Sequence, residues 1–198
     1  MNLNLRYFST IERSEEHLCA IVQLLIESFD FYDMLPMDQA TLTDLIKEEI
    51  SQSGTECFDP LLALQGDDVV GVICHFPAQE LEARQRASMM SVLRRLDRSG
   101  RMKLRARLQD KNYGVGITDV YKGTYVSRVA VSKNMRGQGI GSKFWLGFMG
   151  KIDGANIFLH VDENNHEAIR FYGRFDFSRV DFGPITKHLM MRKGSNAT

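Results

Sequence analysis

The sequence predicts one mixed α/β domain, with a sheet of six or seven strands and helices between them. Segments whose apolar residues recur at helical spacing alternate with short apolar or alternating segments that are typical of strands. The 198 residues suffice for one domain (1–198) with a substantial core, and no internal repeat, low-complexity tract or linker divides them. The composition, 43% hydrophobic and 25% charged, excludes a disordered or collagen-like chain.

The first third of the chain predicts a strand followed by two helices. Residues 3–7 alternate apolar and polar side chains, which indicates a strand. Ser14 stands where an N-cap is expected, before a helix over 15–29. A loop over 30–37 leads to a second helix, which Asp38 caps. The inward residues are Leu18, Ile21, Val22, Leu25 and Phe29 in the first helix and Leu42, Leu45 and Ile46 in the second.

The middle of the chain predicts a hairpin and a helical insertion. Residues 61–64 and 69–75 are apolar strands on either side of Gly66-Asp67-Asp68, a hairpin signal. Residues 80–110 lack the apolar pattern of strands. They predict two basic helices, about 80–98 and 101–109, separated at Ser99-Gly100.

The last third predicts strands and helices in alternation. A strand over 124–131 precedes a helix that starts near Gly141. Residues 157–161 are continuously apolar, as buried parallel strands tend to be, and Asn165 then caps a helix that runs to Tyr172. Two further strands, about 178–182 and 186–192, complete the sheet.

Charge and apolar runs exclude several classes of protein. The 25 basic residues balance the 25 acidic ones, so no global charge favours a nucleic-acid partner. The apolar runs are too short to span a membrane, and the first residues lack a secretory pattern, so we expect a cytoplasmic protein. Cys19, Cys57 and Cys74 lack metal-ligand spacing, which predicts reduced core cysteines and no metal site.

The segment Val129–Gly141 carries the most specific chemistry. A strand leads into a glycine-rich loop that opens a helix, so several backbone N–H groups and the positive end of the helix dipole meet at one place. Such a site suits a pyrophosphate, and Arg136 adds a full positive charge. The alternative is that the glycines only form a tight turn. The order Ser142-Lys143 excludes a P-loop, and the glycine spacing does not fit a dinucleotide-binding motif.

A second motif follows one strand later, with Asn165, Ala168, Phe171, Tyr172 and Phe177 at fixed spacing. Together, the two motifs closely resemble the GNAT superfamily of acyl-CoA-dependent N-acetyltransferases. The family's cofactor pattern, Arg/Gln-x-x-Gly-x-Gly/Ala, is matched by Arg136, Gly139 and Gly141. Its second pattern is Asn-x-x-Ala-x-x-Phe-Tyr-x-x-x-Gly-Phe, from which the chain departs at Asp176, where the family has glycine. This departure leaves the geometry of that turn open.

The resemblance implies a mostly antiparallel sheet with a parallel, splayed central pair and helices on both faces. It also implies acetyl-CoA as the co-substrate, with the backbone of Val129 and Val131 binding its pantetheine arm. Asn165 would lie near the cofactor or only cap its helix, and Tyr172 would lie near the thioester sulfur or be a core aromatic. The pyrophosphate would bind at the loop formed by Arg136, Gly137, Gln138, Gly139, Ile140 and Gly141.

The implied reaction is direct attack of a primary amine on the thioester. A lysine-like amine with a pKa near 10.4 must lose a proton at pH 7, which costs about 4.6 kcal/mol. A base or desolvation must offset this cost, but residues 124–128 offer no carboxylate. Asp119 and His75 are alternatives that act through water, although a structural role suits each better. An acceptor amine with a low pKa would need no base. The Tyr172 pKa near 10 exceeds the 8.5 of a thiol, so we expect a hydrogen bond to the departing sulfur.

The resemblance places the acceptor beside the first two helices, where the chain is acidic. Residues 1–60 hold twelve acidic and three basic residues, with Asp30, Asp33 and Asp38 around the loop. This predicts a cationic acceptor, which is a small amine, a polyamine, a lysine or an N-terminus, unless the face is merely solvated.

The basic insertion allows four interpretations: a cover for the cleft, a site for the 3′-phosphate of coenzyme A, a homodimer contact or a solvated helical face. Its arginines lack interleaved aromatic residues, which disfavours nucleic acid. The alternative to catalysis is an acyl-CoA-binding sensor or scaffold without turnover.

Overall fold

A computed structural model describes residues 3–12, 14–110, 122–152, 156–180 and 188–193. In this part of the chain, seven strands form one sheet in the order β1-β2-β3-β4-β5-β7-β6. The strands are β1 (Asn4–Tyr7), β2 (Leu61–Gln65), β3 (Asp68–Pro77), β4 (Thr124–Val131), β5 (Ile157–Asp162), β6 (Phe177–Val180) and β7 (His188–Lys193). The α-helices are α1 (Glu15–Ser28), α2 (Asp30–Asp33), α3 (Gln39–Ser51), α4 (Leu81–Arg95), α5 (Arg98–Asp110), α6 (Ile140–Lys151) and α7 (His166–Gly173).

The sheet is antiparallel except at its centre, where β4 and β5 run parallel. These two strands pair only over Thr124–Val126 and Ile157–Leu159. Beyond that point β4 continues along β3 to Val131, whereas β5 continues along β7 to Asp162. The two strands therefore splay apart, which confirms the predicted parallel, splayed pair.

Two apolar layers cover the two faces of the sheet, because successive strand residues point to opposite sides. On one face, side chains of α1, α3, α4 and α5 pack against Leu62, Val72 and Ala130. On the other face, side chains of α6 and α7 pack against Leu61, Ile73, Leu159 and their neighbours. The predicted mixed α/β fold with helices on both faces is therefore confirmed.

Side-chain caps fix the helix starts as the sequence predicts. The Ser14 hydroxyl accepts a hydrogen bond from the His17 N–H at 3.1 Å, and Asp38 Oδ1 accepts one from the Thr41 N–H at 2.8 Å. Asn165 Oδ1 accepts one from the Ala168 N–H at 3.0 Å. These bonds satisfy N–H groups that have no partner inside the helix.

The predicted break in the basic insertion is wrong by about three residues. Helix α5 begins at Arg98, so Ser99 and Gly100 lie inside it. The cause is Asp97, whose Oδ1 accepts a hydrogen bond from the Gly100 N–H at 2.7 Å and whose carbonyl accepts one from Arg101 at 3.0 Å. The last two strands begin and end at slightly different residues from those expected, and residues 181–187 lie outside the described part of the chain.

The prediction that all three cysteines lie in the core is also wrong for one of them. Cys57 and Cys74 are fully buried, but Cys19 is exposed. Cys19 follows the inward Leu18, and the next position in a helix points about 100° away from its predecessor. Among the described residues, no helix has the length and apolar character needed to cross a membrane.

Candidate active site

The splay opens a cleft of about 720 Å³, which is lined by the centre of the sheet, by helices of its first face and by α7 of its second face. Its floor comes from β4 and β5, and its sides come from α1 to α5 and α7. The lining residues from the sheet and α7 include Tyr125, Ser127, Arg128, Val129, His160, Asp162, Asn165 and Tyr172, and those from the other helices and their loops include Asp30, Phe31, Glu49, Glu56, Arg86, Ser88 and Met89.

The free edge of β4 faces this opening. The Ser132 N–H donates to the Val70 carbonyl at 2.9 Å, which turns Ser132 toward β3. Because peptide groups alternate along a strand, the N–H and C=O groups of Val129 and Val131 turn the other way, toward the splay. Val129 lines the cleft, whereas Val131 lies beyond it, and its carbonyl accepts a hydrogen bond from Arg136 Nε at 3.3 Å.

The loop after β4 ends at the N-terminus of α6. Gly137 and Gly139 have φ angles of 77° and 75°, and Gly139 is the N-cap of α6. A Cβ atom at either glycine would meet nothing within 4 Å, so these positions require glycine for backbone conformation and the space beside the loop is open. The first N–H groups of α6, at Ile140 and Gly141, lack partners in the preceding turn and add to the positive end of the helix dipole.

The side chains of this loop offer fewer contacts to a ligand than its backbone does. Arg136 and Gln138 are exposed, and Gln138 Nε2 donates to the Asn134 carbonyl at 3.1 Å. The Ile140 side chain is buried, so this residue offers a ligand only its peptide group. The loop residues Arg136 to Gly141 are not among those that line the cleft, which places the loop next to the opening and not inside it.

Tyr172 lies in an aromatic cluster at the cleft. Its ring centroid is 5.1 Å from that of Trp145, 5.2 Å from that of Phe171 and 5.6 Å from that of Phe177. The residue is 8% exposed, and burial raises the pKa of its hydroxyl. Within the described residues, that hydroxyl has no hydrogen-bond partner, so it is available to a ligand in the cleft.

The two remaining features of the second motif are well defined. Asn165 caps α7 and also lines the cleft, so the two interpretations of this residue are compatible. Asp176 has a φ angle of 60°, the left-handed conformation that glycine adopts without strain. Aspartate tolerates this conformation better than most residues, so the departure from the family pattern leaves the turn geometry intact.

Charged residues that the sequence analysis missed lie in the wall of the cleft. Glu49 of α3 is 5% exposed, and the Glu56 carboxylate lies 3.8 Å from the Arg128 guanidinium. Glu49 and Glu56 are seven residues apart, whereas Arg128 follows 72 residues after Glu56. The sequence contains one indication of this site. Glu49 follows Leu45 and Ile46 at helical spacing, so a charged residue lies on the apolar face of the helix.

The candidate bases and acidic residues named from the sequence fall in different places. His75 is outside the cleft, where its ring lies 3.1 Å from the Tyr7 hydroxyl and burial lowers its pKa to about 4. Asp119 lies outside the described residues. Asp30 lines the cleft, Asp33 is exposed away from it, and Asp38 caps α3, where the Thr41 N–H lowers its pKa.

The basic insertion packs on its own chain and borders the cleft. Val92, Leu96 and Leu104 are buried in the core layer of the first face. Arg86 and Met89 are among the residues of α4 that line the cleft. Of the four interpretations of the insertion, this geometry favours a cover for the cleft. In the described part of the chain, no group of three histidine, cysteine or carboxylate side chains is arranged to hold a metal ion.

A family model and several solved structures match this chain. A model of the acetyltransferase (GNAT) family matches residues 19–177. An N-acetyltransferase from Staphylococcus aureus Mu50 is 16% identical, with a TM-score of 0.67 over 96% of this chain and 98% of that chain. A protein described as histone acetyltransferase HPA2 and related acetyltransferase from Corynebacterium glutamicum is 17% identical, with a TM-score of 0.64 over 100% of this chain and 99% of that chain.

A third structure carries a ligand. The PaiA N-acetyltransferase from Thermoplasma acidophilum, in complex with coenzyme A, is 14% identical, with a TM-score of 0.52 over 98% of this chain and 99% of that chain. A comparison with curated protein sequences gives no match. At these identities the structures show a shared fold, whereas the family match extends over most of the sequence. The chain therefore belongs to the GNAT acetyltransferase family.

Proposed function

We propose that the chain is an N-acetyltransferase that moves the acetyl group of acetyl-CoA to a primary amine by direct attack on the thioester. The observation that carries this proposal is the splay of β4 and β5, because it opens a cleft with a free strand edge on one side and Tyr172 on the other. The fold also has a relative that binds coenzyme A, the PaiA N-acetyltransferase.

The described residues fit coenzyme A as the substrate. The open space beside Gly137 and Gly139 leaves room for a pyrophosphate at the N-terminus of α6. The outward N–H and C=O groups of Val129 and Val131 would pair with the pantetheine arm as an added strand. Binding there would displace the Arg136 side chain from the Val131 carbonyl and free its guanidinium for a phosphate oxygen.

The proposed reaction uses a backbone N–H group of β4 and the hydroxyl of Tyr172. The amine nitrogen attacks the thioester carbon, and a free N–H of β4 stabilises the negative charge that develops on the carbonyl oxygen. The Tyr172 hydroxyl donates a hydrogen bond to the departing sulfur. Because burial raises the pKa of Tyr172, complete proton transfer from its hydroxyl to the thiolate is unfavourable, and a hydrogen bond is the role that remains.

The acceptor is expected to be cationic, since acidic groups exceed basic ones along the cleft. Glu56 pairs with Arg128, and Glu82 pairs with Arg86 at 2.6 Å. Asp30, Glu49 and Asp162 add three further carboxylates to the wall. A small amine, a polyamine, a lysine side chain or a peptide N-terminus would meet an attractive field there.

Two measurements test the proposal. Titration calorimetry with acetyl-CoA measures binding, and release of free thiol measures turnover across a panel of polyamines, lysine peptides, N-terminal peptides and acidic amines. We expect binding, and turnover that favours cationic acceptors and weakens with salt. Binding without turnover on any amine would support a sensor instead, and a chain that does not bind acetyl-CoA would contradict both functions.

A further inference from the structure

A buried carboxylate in the wall of the cleft has no function in the proposed reaction. Glu49 lies on the inward face of α3 and is 5% exposed, yet it lines the cleft. Glutamate is almost never buried to this extent unless it is paired. Within the described residues, no lysine, arginine or histidine lies within ion-pair distance of Glu49, so packing alone does not explain a charged group at this position.

The neighbouring charged groups are engaged elsewhere. Arg128 approaches Glu56 at 3.8 Å, and Arg95 pairs with Glu48 on the outer side of α3. The Ser88 hydroxyl accepts a hydrogen bond from the Glu56 N–H at 3.0 Å, and it lies close enough to the Glu49 carboxylate to lower the pKa of that group. The polar neighbour of the Glu49 carboxylate is therefore a neutral hydroxyl, and the carboxylate keeps acceptor capacity for a ligand in the cleft.

Burial also changes the basicity of Glu49. Loss of solvent raises its pKa, with a further increase from Glu56, while Ser88, Arg128 and Arg95 act in the opposite direction. Tyr32 and Cys57 lie close enough to be affected by its charge. A carboxylate with a raised pKa is a better proton acceptor near neutral pH than an exposed one.

We propose that the Glu49 carboxylate is the catalytic base that removes a proton from the acceptor ammonium. One N–H bond of the ammonium breaks, its proton binds a Glu49 oxygen, and the electron pair stays on nitrogen. That pair then forms the C–N bond as the C–S bond breaks, with the sulfur leaving as thiolate. The second nitrogen proton neutralises the thiolate, and Glu49 returns its proton to water through the cleft. This inference rests on the proposed acetyltransferase function.

Other carboxylates of the cleft suit this role less well. Glu56 and Glu82 are already paired with arginines, and Glu82, Asp30 and Asp162 are exposed, so water stabilises the charge of these three carboxylates. Residues 124–128 of β4, which include cleft-lining residues, carry no carboxylate. The base would thus come from the helical layer and not from the sheet.

The test compares Glu49→Gln with Glu48→Gln. Gln preserves the size of the side chain but accepts no proton, and Glu48 is the adjacent residue of α3 outside the cleft. Acetyl transfer is followed with two acceptors: spermidine, whose amines are protonated at pH 7, and an arylamine that is already unprotonated. We expect Glu49→Gln to lower kcat/KM for spermidine about 10²- to 10³-fold and to leave the arylamine rate nearly unchanged.

The pH profile provides a second readout. In Glu49→Gln only the spontaneously deprotonated amine reacts, so the rate with spermidine should rise about tenfold per pH unit below the amine pKa. The unmodified chain should show a shallower profile. Glu48→Gln should behave as the unmodified chain with both acceptors. Glu49→Asp keeps a base at a shorter reach and should retain part of the activity, which guards against a folding defect of the Gln variant.

The pH dependence of thermal stability tests the raised pKa of Glu49 without any acceptor. The folded pKa of Glu49 is raised, so its contribution to stability is complete at acidic pH, below its unfolded pKa, and is lost as pH rises through the folded pKa. Glu49→Gln should therefore gain Tm relative to the unmodified chain as pH rises. For Glu48, whose pKa Arg95 lowers, the sign is opposite, and Glu48→Gln should lose Tm at neutral pH.

The outcomes separate the two proposals. One outcome is that the unmodified chain turns over spermidine and that Glu49→Gln has the same rate and pH profile. This result would overturn the role of Glu49 but would leave the enzyme assignment intact. Binding of acetyl-CoA with no turnover of either acceptor by the unmodified chain would overturn both. A loss in Glu49→Gln that is equal for spermidine and the arylamine would also contradict a role in proton removal.

Discussion

Replacement of Tyr172 by phenylalanine separates the packing of this side chain from its chemistry. The ring packs against Trp145 and Phe177 at centroid distances of 5.1 and 5.6 Å, and phenylalanine would keep these contacts. The hydroxyl has no hydrogen-bond partner among the described residues, so its removal breaks no hydrogen bond within that part of the chain. The free energy of unfolding should therefore change by no more than about 0.5 kcal/mol.

The catalytic cost follows from the bond that the hydroxyl would make to the departing sulfur. A hydrogen bond to a charged group contributes about 1.5–3 kcal/mol. With about 1.36 kcal/mol for each factor of ten, the loss in kcat should be about 10- to 150-fold. A general acid that delivered a full proton would be worth more, but the raised pKa of Tyr172 opposes that step.

The assay measures kcat by thiol release at saturating acetyl-CoA and measures acetyl-CoA affinity by calorimetry. Tyr7→Phe is the matched control, because its hydroxyl bonds to His75 at 3.1 Å outside the cleft. That variant should lose about 1 kcal/mol of stability and no activity. Unchanged kcat in Tyr172→Phe, with both variants folded, would refute any role for the Tyr172 hydroxyl in departure of the thiol.

Three further substitutions test the fold around the site. Gly139→Ala places a Cβ at a φ of 75° and should lower the free energy of unfolding by about 1 kcal/mol, as measured by urea denaturation. The same substitution should lower the affinity for coenzyme A, as measured by calorimetry. Asp176→Gly relieves a φ of 60° and should raise the free energy of unfolding by about 0.5–1 kcal/mol; a lower Tm would contradict the strain. Glu56→Gln leaves Arg128 largely buried without its partner and should cost about 3 kcal/mol in chemical denaturation, and no loss would mean that solvent already screens the pair.

Much of the fold could be predicted from local patterns. The caps Ser14, Asp38 and Asn165 were predictable because each one acts on an N–H group three residues away. The break at Asp97 was missed because Ser99-Gly100 gave the stronger turn signal, whereas the capping carboxylate decided the helix start.

Only those parts of the candidate site that are contiguous in sequence could be predicted. The loop and the second motif are contiguous in sequence, so spacing carries their geometry. The cluster of Glu49, Glu56 and Arg128 joins α3, a loop and β4, and its members are up to 79 residues apart. Such contacts depend on how the helical layer packs on the sheet, which periodicity does not specify. Asp176 shows the reverse case, where the residue type departs from the family pattern but the backbone conformation does not.

Amide chemical shifts measured by NMR during a titration with coenzyme A identify the main-chain groups that bind the cofactor. If the main chain of β4 and the glycine loop holds the cofactor, the largest shifts should fall on Val129, Val131, Gly137, Gly139 and Gly141. Shifts concentrated elsewhere, or saturation with these five amides unmoved, would mean that this part of the main chain does not bind coenzyme A.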